Sequence, residues 1–132
     1  MGSVVLVDSS VFITLLRQRL DPVAALLQRT ALEDLVTCGM VRMEVLRGLI
    51  HPRIKTRLTE FFGVMQNVPT NNRIWDVATE LAWKLGRMGI TLPAQDILIA
   101  TCAQQTGAAV LTFDRHFEEI PGLKVYRSIE EL

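Results

Sequence analysis

The sequence predicts an α/β fold in which a mostly parallel central sheet is covered by helices on both faces. Three observations predict it. Val4-Val5-Leu6-Val7 and Ala108-Ala109-Val110-Leu111-Thr112 are almost continuously apolar, as strands buried on both faces must be. Helical periodicities separate these runs from further short strand candidates, and alternating strands and helices pair in parallel through helical crossovers. The chain has 132 residues, of which 49% are hydrophobic, and a mean hydropathy of +0.28; that supplies one buried core and leaves no room for a second. Residues 1–132 are therefore expected to form a single domain.

The elements follow in order. After the strand at residues 4–7, Asp8-Ser9-Ser10 offers caps for a helix carrying Val11, Phe12, Leu15 and Leu16. Asp21-Pro22 opens a second helix, with Asp21 as cap and Pro22 in the first position; its apolar face is expected to run through Ala25, Leu26, Leu32 and Leu35. Val36-Thr37-Cys38 reads as a short strand turned by Gly39. A helix over 41–50 then carries Met43, Leu46, Leu49 and Ile50 on one stripe, and Pro52 stops it. Helical patterns at 53–66 and 72–88 flank the breaker cluster Pro69-Thr70-Asn71-Asn72. A helix over 94–106, capped by Gly107, leads into the strand at 108–112, and Val125-Tyr126 is the last strand.

Fourteen basic and fourteen acidic residues balance, so any attraction for nucleic acid must come from a local basic surface. Arg42, Arg47, Arg53, Lys55 and Arg57 crowd one stretch, and Arg73, Lys84, Arg87 and Arg115 add to them. Cys38 and Cys102 lie in apolar stretches without metal-ligand spacing and read as core residues of a reducing compartment. The first apolar run stops at Asp8 and lacks a basic flank, so neither a signal peptide nor a membrane span is expected. Gly2 begins a partial myristoylation motif, but Leu6 stands where the motif needs Ser or Thr. A soluble, cytoplasmic protein is the expectation.

Both long strands end in an aspartate, Asp8 and Asp114. In an open parallel sheet, ligands bind outside the carboxyl ends of the strands, so both acids point to the functional edge; either one alone would serve equally as a helix cap. Asp96 falls in the first turn of a helix that is apolar almost all round. Ala100, Ala103 and Gly107 share its face, a surface small enough to pack closely and turn the carboxylate inward. Glu44 sits within Val41-Arg42-Met43-Glu44-Val45-Leu46-Arg47, where an exposed glutamate is an equal reading. Four acids without a histidine or cysteine cluster suit a hard divalent cation, magnesium or manganese, rather than zinc. Such an ion activates water and stabilises a leaving oxygen, which is the chemistry of phosphodiester hydrolysis.

Val7-Asp8-Ser9-Ser10-Val11-Phe12, Glu44-Val45-Leu46-Arg47-Gly48, Gln95-Asp96-Ile97-Leu98-Ile99-Ala100 and Leu111-Thr112-Phe113-Asp114-Arg115-His116-Phe117 resemble, in order and spacing, the PIN-domain ribonucleases. Among these, the chain is most similar to the VapC toxins of toxin–antitoxin pairs. The resemblance implies a three-layer α/β/α PIN-like domain and an acidic quartet of Asp8, Glu44, Asp96 and Asp114 that binds Mg2+ or Mn2+ and cleaves RNA endonucleolytically. It makes Asp8, Asp96 and Asp114 the metal ligands, Ser10 and Thr112 supporting hydroxyls, and Arg42, Arg47, Arg115 and His116 candidates for RNA contact. Members often carry a further acid where this chain has His116. The resemblance also implies a homodimer and a VapB-like antitoxin. Phe12, Leu15 and Leu16 are candidates either for the groove receiving that antitoxin or for the core.

Other readings are an RNA-processing nuclease without antitoxin and a catalytically inactive binding module of the same fold. A phospho-acceptor signalling domain lacks support: its paired acids are replaced by Ser9-Ser10, and Thr112-Phe113-Asp114 offers no lysine. An aspartyl-phosphate phosphatase would need an aspartate where Ser10 stands.

Overall fold

A computed structural model describes residues 3–132; Gly2 lies outside the described residues. Five strands, β1 (Val5–Val7), β2 (Leu35–Cys38), β3 (Gln66–Val68), β4 (Ala109–Leu111) and β5 (Val125–Tyr126), form one all-parallel sheet in the order β3-β2-β1-β4-β5. Val5 lies between Leu35 and Ala109, and Leu6 between Val36 and Val110, which places β1 at the centre. The six helices are α1 (Ser9–Arg17), α2 (Pro22–Leu27), α3 (Gly39–Leu46), α4 (Pro52–Val64), α5 (Asn72–Arg87) and α6 (Ala94–Gln105).

The strand order fixes the layers. From β1 the chain steps outward through β2 to β3, then returns past β1 to β4 and β5. With right-handed crossovers, this reversal sets α1–α4 on one face of the sheet and α5 and α6 on the other. On the first face Phe12 packs on Phe62, ring centroids 5.1 Å apart and planes tilted by 59°. On the second, α6 packs on α5 and on the sheet and buries every residue from Ile97 to Ala103, as its all-round apolarity requires.

Several boundaries differ from the sequence expectation. Asp8, not Ser9 or Ser10, is the first cap position of α1. Asp21 caps α2 as expected, its carboxylate accepting from Val23 N, but α2 ends at Leu27; Leu32 falls in a single 3-10 turn and Leu35 in β2. Gly39 is the first residue of α3 rather than a turn. That helix ends at Leu46 and buries Val41 and Val45, while Met43 and Ile50 of the expected stripe are exposed. Pro52 opens α4 instead of closing its predecessor, because proline lacks only a donor that the first turn never uses. Phe12 and Leu15 are core residues, so they cannot line a partner's groove; Leu16 is half-buried. Cys38 and Cys102 are buried free thiols, as expected. Among the described residues no helix is long and apolar enough to cross a membrane.

Candidate active site

In a doubly wound sheet, the crevice opens where neighbouring strands send their connections to opposite sides. Here that point lies between β1 and β4. Asp8 follows β1 directly, and its backbone N–H extends the ladder by donating to Leu111 O at 2.9 Å. Thr112, Phe113 and Asp114 follow β4.

Asp8 is only 3% exposed. Its carboxylate does not cap α1. Instead Oδ2 accepts from Ser10 Oγ at 2.7 Å and from Thr112 Oγ1 at 2.8 Å. Each hydroxyl in turn accepts from the backbone: Ser10 Oγ from Phe113 N at 3.1 Å, Thr112 Oγ1 from Asp114 N at 3.0 Å. A hydroxyl has one proton, so with both donated to Asp8 the 3.2 Å approach of Ser10 Oγ to Thr112 Oγ1 is a packing contact. The loop after β4 is thus tied to the start of α1 through one carboxylate oxygen. The other, Oδ1, is buried with no hydrogen-bond partner. A buried carboxylate oxygen without a donor costs about 1–3 kcal/mol and calls for an explanation.

The other acids converge on this point. Asp96, in the first turn of α6, has a side chain only 14% exposed, with Oδ2 lying 2.8 Å from His116 Nδ1. Burial, aided by repulsion from Asp8 and Asp114, pushes its carboxyl above the usual carboxylate range even though His116 opposes the shift. Asp114 caps a 3-10 turn over Arg115–Glu119: its Oδ1 accepts from His116 N at 3.0 Å and also lies 3.1 Å from His116 Nδ1. Its reading as a cap therefore holds for one oxygen. Glu44 is half-buried and accepts from Ser9 Oγ at 3.2 Å. Burial, then repulsion from Asp8 and Asp96, raises its carboxyl too, with the Ser9 hydroxyl pulling the other way. His116 is held protonated to higher pH than usual, first by its hydrogen bond to Asp96 and further by the charges of Asp114 and Asp96.

The residues fit a hard divalent cation. Carboxylates from three different elements meet at one strand edge, and Asp8 Oδ1 lacks any protein donor. One ligand atom each from Asp96, Asp114 and His116 lies within 4.8 Å of the others. The charges of Asp8 and Asp96 act on Glu44, and those of Asp8 and Asp114 on Asp96, while Ser10 and Thr112 are hydrogen-bonded to Asp8. Sequence reasoning missed Ser9 as the partner of Glu44 and placed His116 among the candidates for RNA contact. A histidine two positions after a capping aspartate is the signal that could have found its place beside the acids.

The basic candidates spread more widely. Arg47 is exposed and borders two clefts of about 270 and 390 Å³ that Glu44 also lines. Arg42 is half-buried and its Nε lacks a partner. Arg115 is exposed directly after Asp114. Arg57 is committed elsewhere, to Asp21 at 2.6 Å.

Residues 5–123 match the family model of the PIN domain. Similar solved structures include FitAcB from Neisseria gonorrhoeae, at 21% identity and a TM-score of 0.76, covering 97% of this chain and 99% of that one. DNA-bound VapBC from Salmonella typhimurium shows 19% identity, a TM-score of 0.75, and coverage of 95% and 98%. A toxin–antitoxin complex from Klebsiella pneumoniae shows 20% identity, a TM-score of 0.71, and coverage of 92% and 95%. At these identities the likeness is one of fold. No curated protein matches the chain significantly.

Proposed function

The chain belongs to the PIN domain family, and from that premise we propose that it is a metal-dependent endoribonuclease acting as the toxin of a toxin–antitoxin pair. The observation that carries the reading is the buried, partnerless Oδ1 of Asp8, set among acids at the sheet's switch point. Residues 1–132 would form one such domain, working in the cytoplasm as a homodimer. The likeness to FitAcB, VapBC and a toxin–antitoxin complex supports a VapB-like antitoxin as its partner.

Asp8, Asp96 and Asp114 would hold Mg2+ or Mn2+, which when bound would polarise the phosphodiester and make water acidic enough to give up a proton. The chain's own residues do the rest. Ser10 and Thr112 fix Asp8 so that Oδ2 is spent and Oδ1 is left for the ion. Glu44, with its raised carboxyl and its Ser9 anchor, suits the proton taken from the attacking water. That water's oxygen would bond to phosphorus and the bond to the leaving sugar oxygen break, so that one end keeps the phosphate while the leaving oxygen takes a proton from solvent and becomes a hydroxyl. No 2′-hydroxyl is needed as nucleophile. Arg47 and Arg115 flank the acids and would bind the RNA backbone.

Purified protein would be incubated with total RNA in Mg2+, Mn2+ or chelator, and the new ends sequenced. Discrete metal-dependent cuts, lost in Asp96→Asn, are expected; cutting that persists in chelator or in Asp96→Asn refutes the reading. Growth arrest relieved by a small protein encoded just upstream identifies the toxin role. Cleavage without such a partner would mark an RNA-processing nuclease instead.

A further inference from the structure

His116 turns one ring nitrogen onto two of the acids. Nδ1 lies 2.8 Å from Asp96 Oδ2 and 3.1 Å from Asp114 Oδ1. Neighbouring ligands of an octahedral ion with bonds of about 2.1 Å lie ~3.0 Å apart, so these two separations match the edges of one octahedral face. The backbone builds that face. Asp114 caps the 3-10 turn through His116 N, which brings the imidazole back to the same carboxylate oxygen. Asp8, whose charge acts on Asp96, is buried and keeps Oδ1 without a donor, an independent sign that this end of the sheet is built for a cation.

We propose that His116 Nδ1 is itself a metal ligand, completing a face with Asp96 and Asp114 and giving the site a preference for Mn2+ over Mg2+. Imidazole nitrogen is a softer donor than carboxylate. Mn2+ accepts such a nitrogen more readily than Mg2+, which demands oxygen and keeps its waters. The ligand is the neutral ring with Nε2–H turned outward, which the 45% exposure of the side chain permits. The opposite role is a protonated ring that neutralises the acids and must leave before any ion enters. The two roles predict opposite signs for removing the ring. This inference rests on the metal-dependent reading above.

The test uses the full chain stripped of metal. Mn2+ and Mg2+ binding is measured by calorimetry, and the bound Mn2+ is examined by electron spin-echo spectroscopy for coupling to a directly bound 14N nucleus. The wild type is expected to show the nitrogen coupling. His116→Ala should lose it and bind Mn2+ at least about tenfold more weakly, the smallest effect ascribed even to outer-shell partners, with Mg2+ affected less. His116→Asp should recover Mg2+ binding without the nitrogen signal. Wild-type Mn2+ binding without 14N coupling, or His116→Ala binding Mn2+ as tightly or more tightly, overturns this inference and leaves the metal-dependent nuclease standing. Failure of the wild type to bind either ion overturns both.

Discussion

Asp8→Asn should stabilise the metal-free protein while abolishing its response to metal. The carboxylate is buried, one oxygen accepts two hydroxyls, and the other has no partner. Asparagine's single oxygen keeps both hydroxyl bonds. Its neutral amide takes the place of the bare oxygen and relieves the repulsion on the neighbouring acids, since the charge of Asp8 raises both Glu44 and Asp96. Replacing a bare, buried carboxylate oxygen by a neutral group recovers about 1–3 kcal/mol. With an unfolding entropy that scales with 132 residues, each kcal/mol moves the midpoint by about 3–4 °C, so a rise of about 4–10 °C is expected in chelator. Mn2+ at a hundredfold excess over its dissociation constant should stabilise the wild type by about 2.7 kcal/mol, or ~9 °C, and leave the variant unmoved. Circular dichroism melts in chelator and in excess Mn2+ measure both effects. A lower midpoint for Asp8→Asn in chelator would show that the charge holds the fold together, and an equal metal shift in both proteins would remove Asp8 from the ion's ligands.

Thr112→Val keeps the volume but removes a donor to Asp8 and an acceptor for Asp114 N. A melting point lower by about 6–10 °C is expected, from a loss of ~2–3 kcal/mol, with cleavage reduced more than tenfold and both restored by Thr112→Ser. The folded-state values of Glu44, Asp96 and His116 are all raised, so each contributes stability at low pH that is lost as pH rises through its folded value. Metal-free protein should therefore melt lower as pH rises above the ordinary carboxylate range and again as it rises above about pH 6.5, the second loss being absent in His116→Ala. Melts across that range check the sign. Arg47→Ala should weaken binding of single-stranded RNA in chelator and flatten the logarithmic salt dependence by ~0.7, read by fluorescence anisotropy, without changing the melting point.

What the sequence revealed and what it hid follow from how each residue is held. The central strands were legible because burial on both faces leaves a continuous apolar run. The edge strand β3 was hidden, since Gln66 and Asn67 are exposed and only Val68 is buried, so no periodicity marks it. The helix bearing Glu44 was placed, but its stripe was misassigned: Met43 and Ile50 are apolar yet exposed, and hydrophobicity alone does not say which side of a short helix meets the core. That error bears directly on the site. With Val41 and Val45 facing inward, Glu44 is carried to the rim of the core, where Ser9 from α1 reaches it across 35 positions of sequence.

The distinction between a cap and a catalytic acid was likewise undecidable from the chain alone, because both put an aspartate after a strand. The hydrogen-bond inventory separates them. The Asp8 side chain gives nothing to its helix and leaves an oxygen bare, at a cost that the fold alone does not repay, whereas the Asp114 side chain caps its turn and presents the same oxygen to His116. Such an uncompensated group persists where function, rather than stability, selects it. The acids whose mutation to a neutral isostere stabilises the metal-free protein are then the ones a bound ion must hold. By the same logic His116 divides the alternatives. As a counter-ion its loss should make the ion easier to bind, and as a ligand its loss should weaken ion binding.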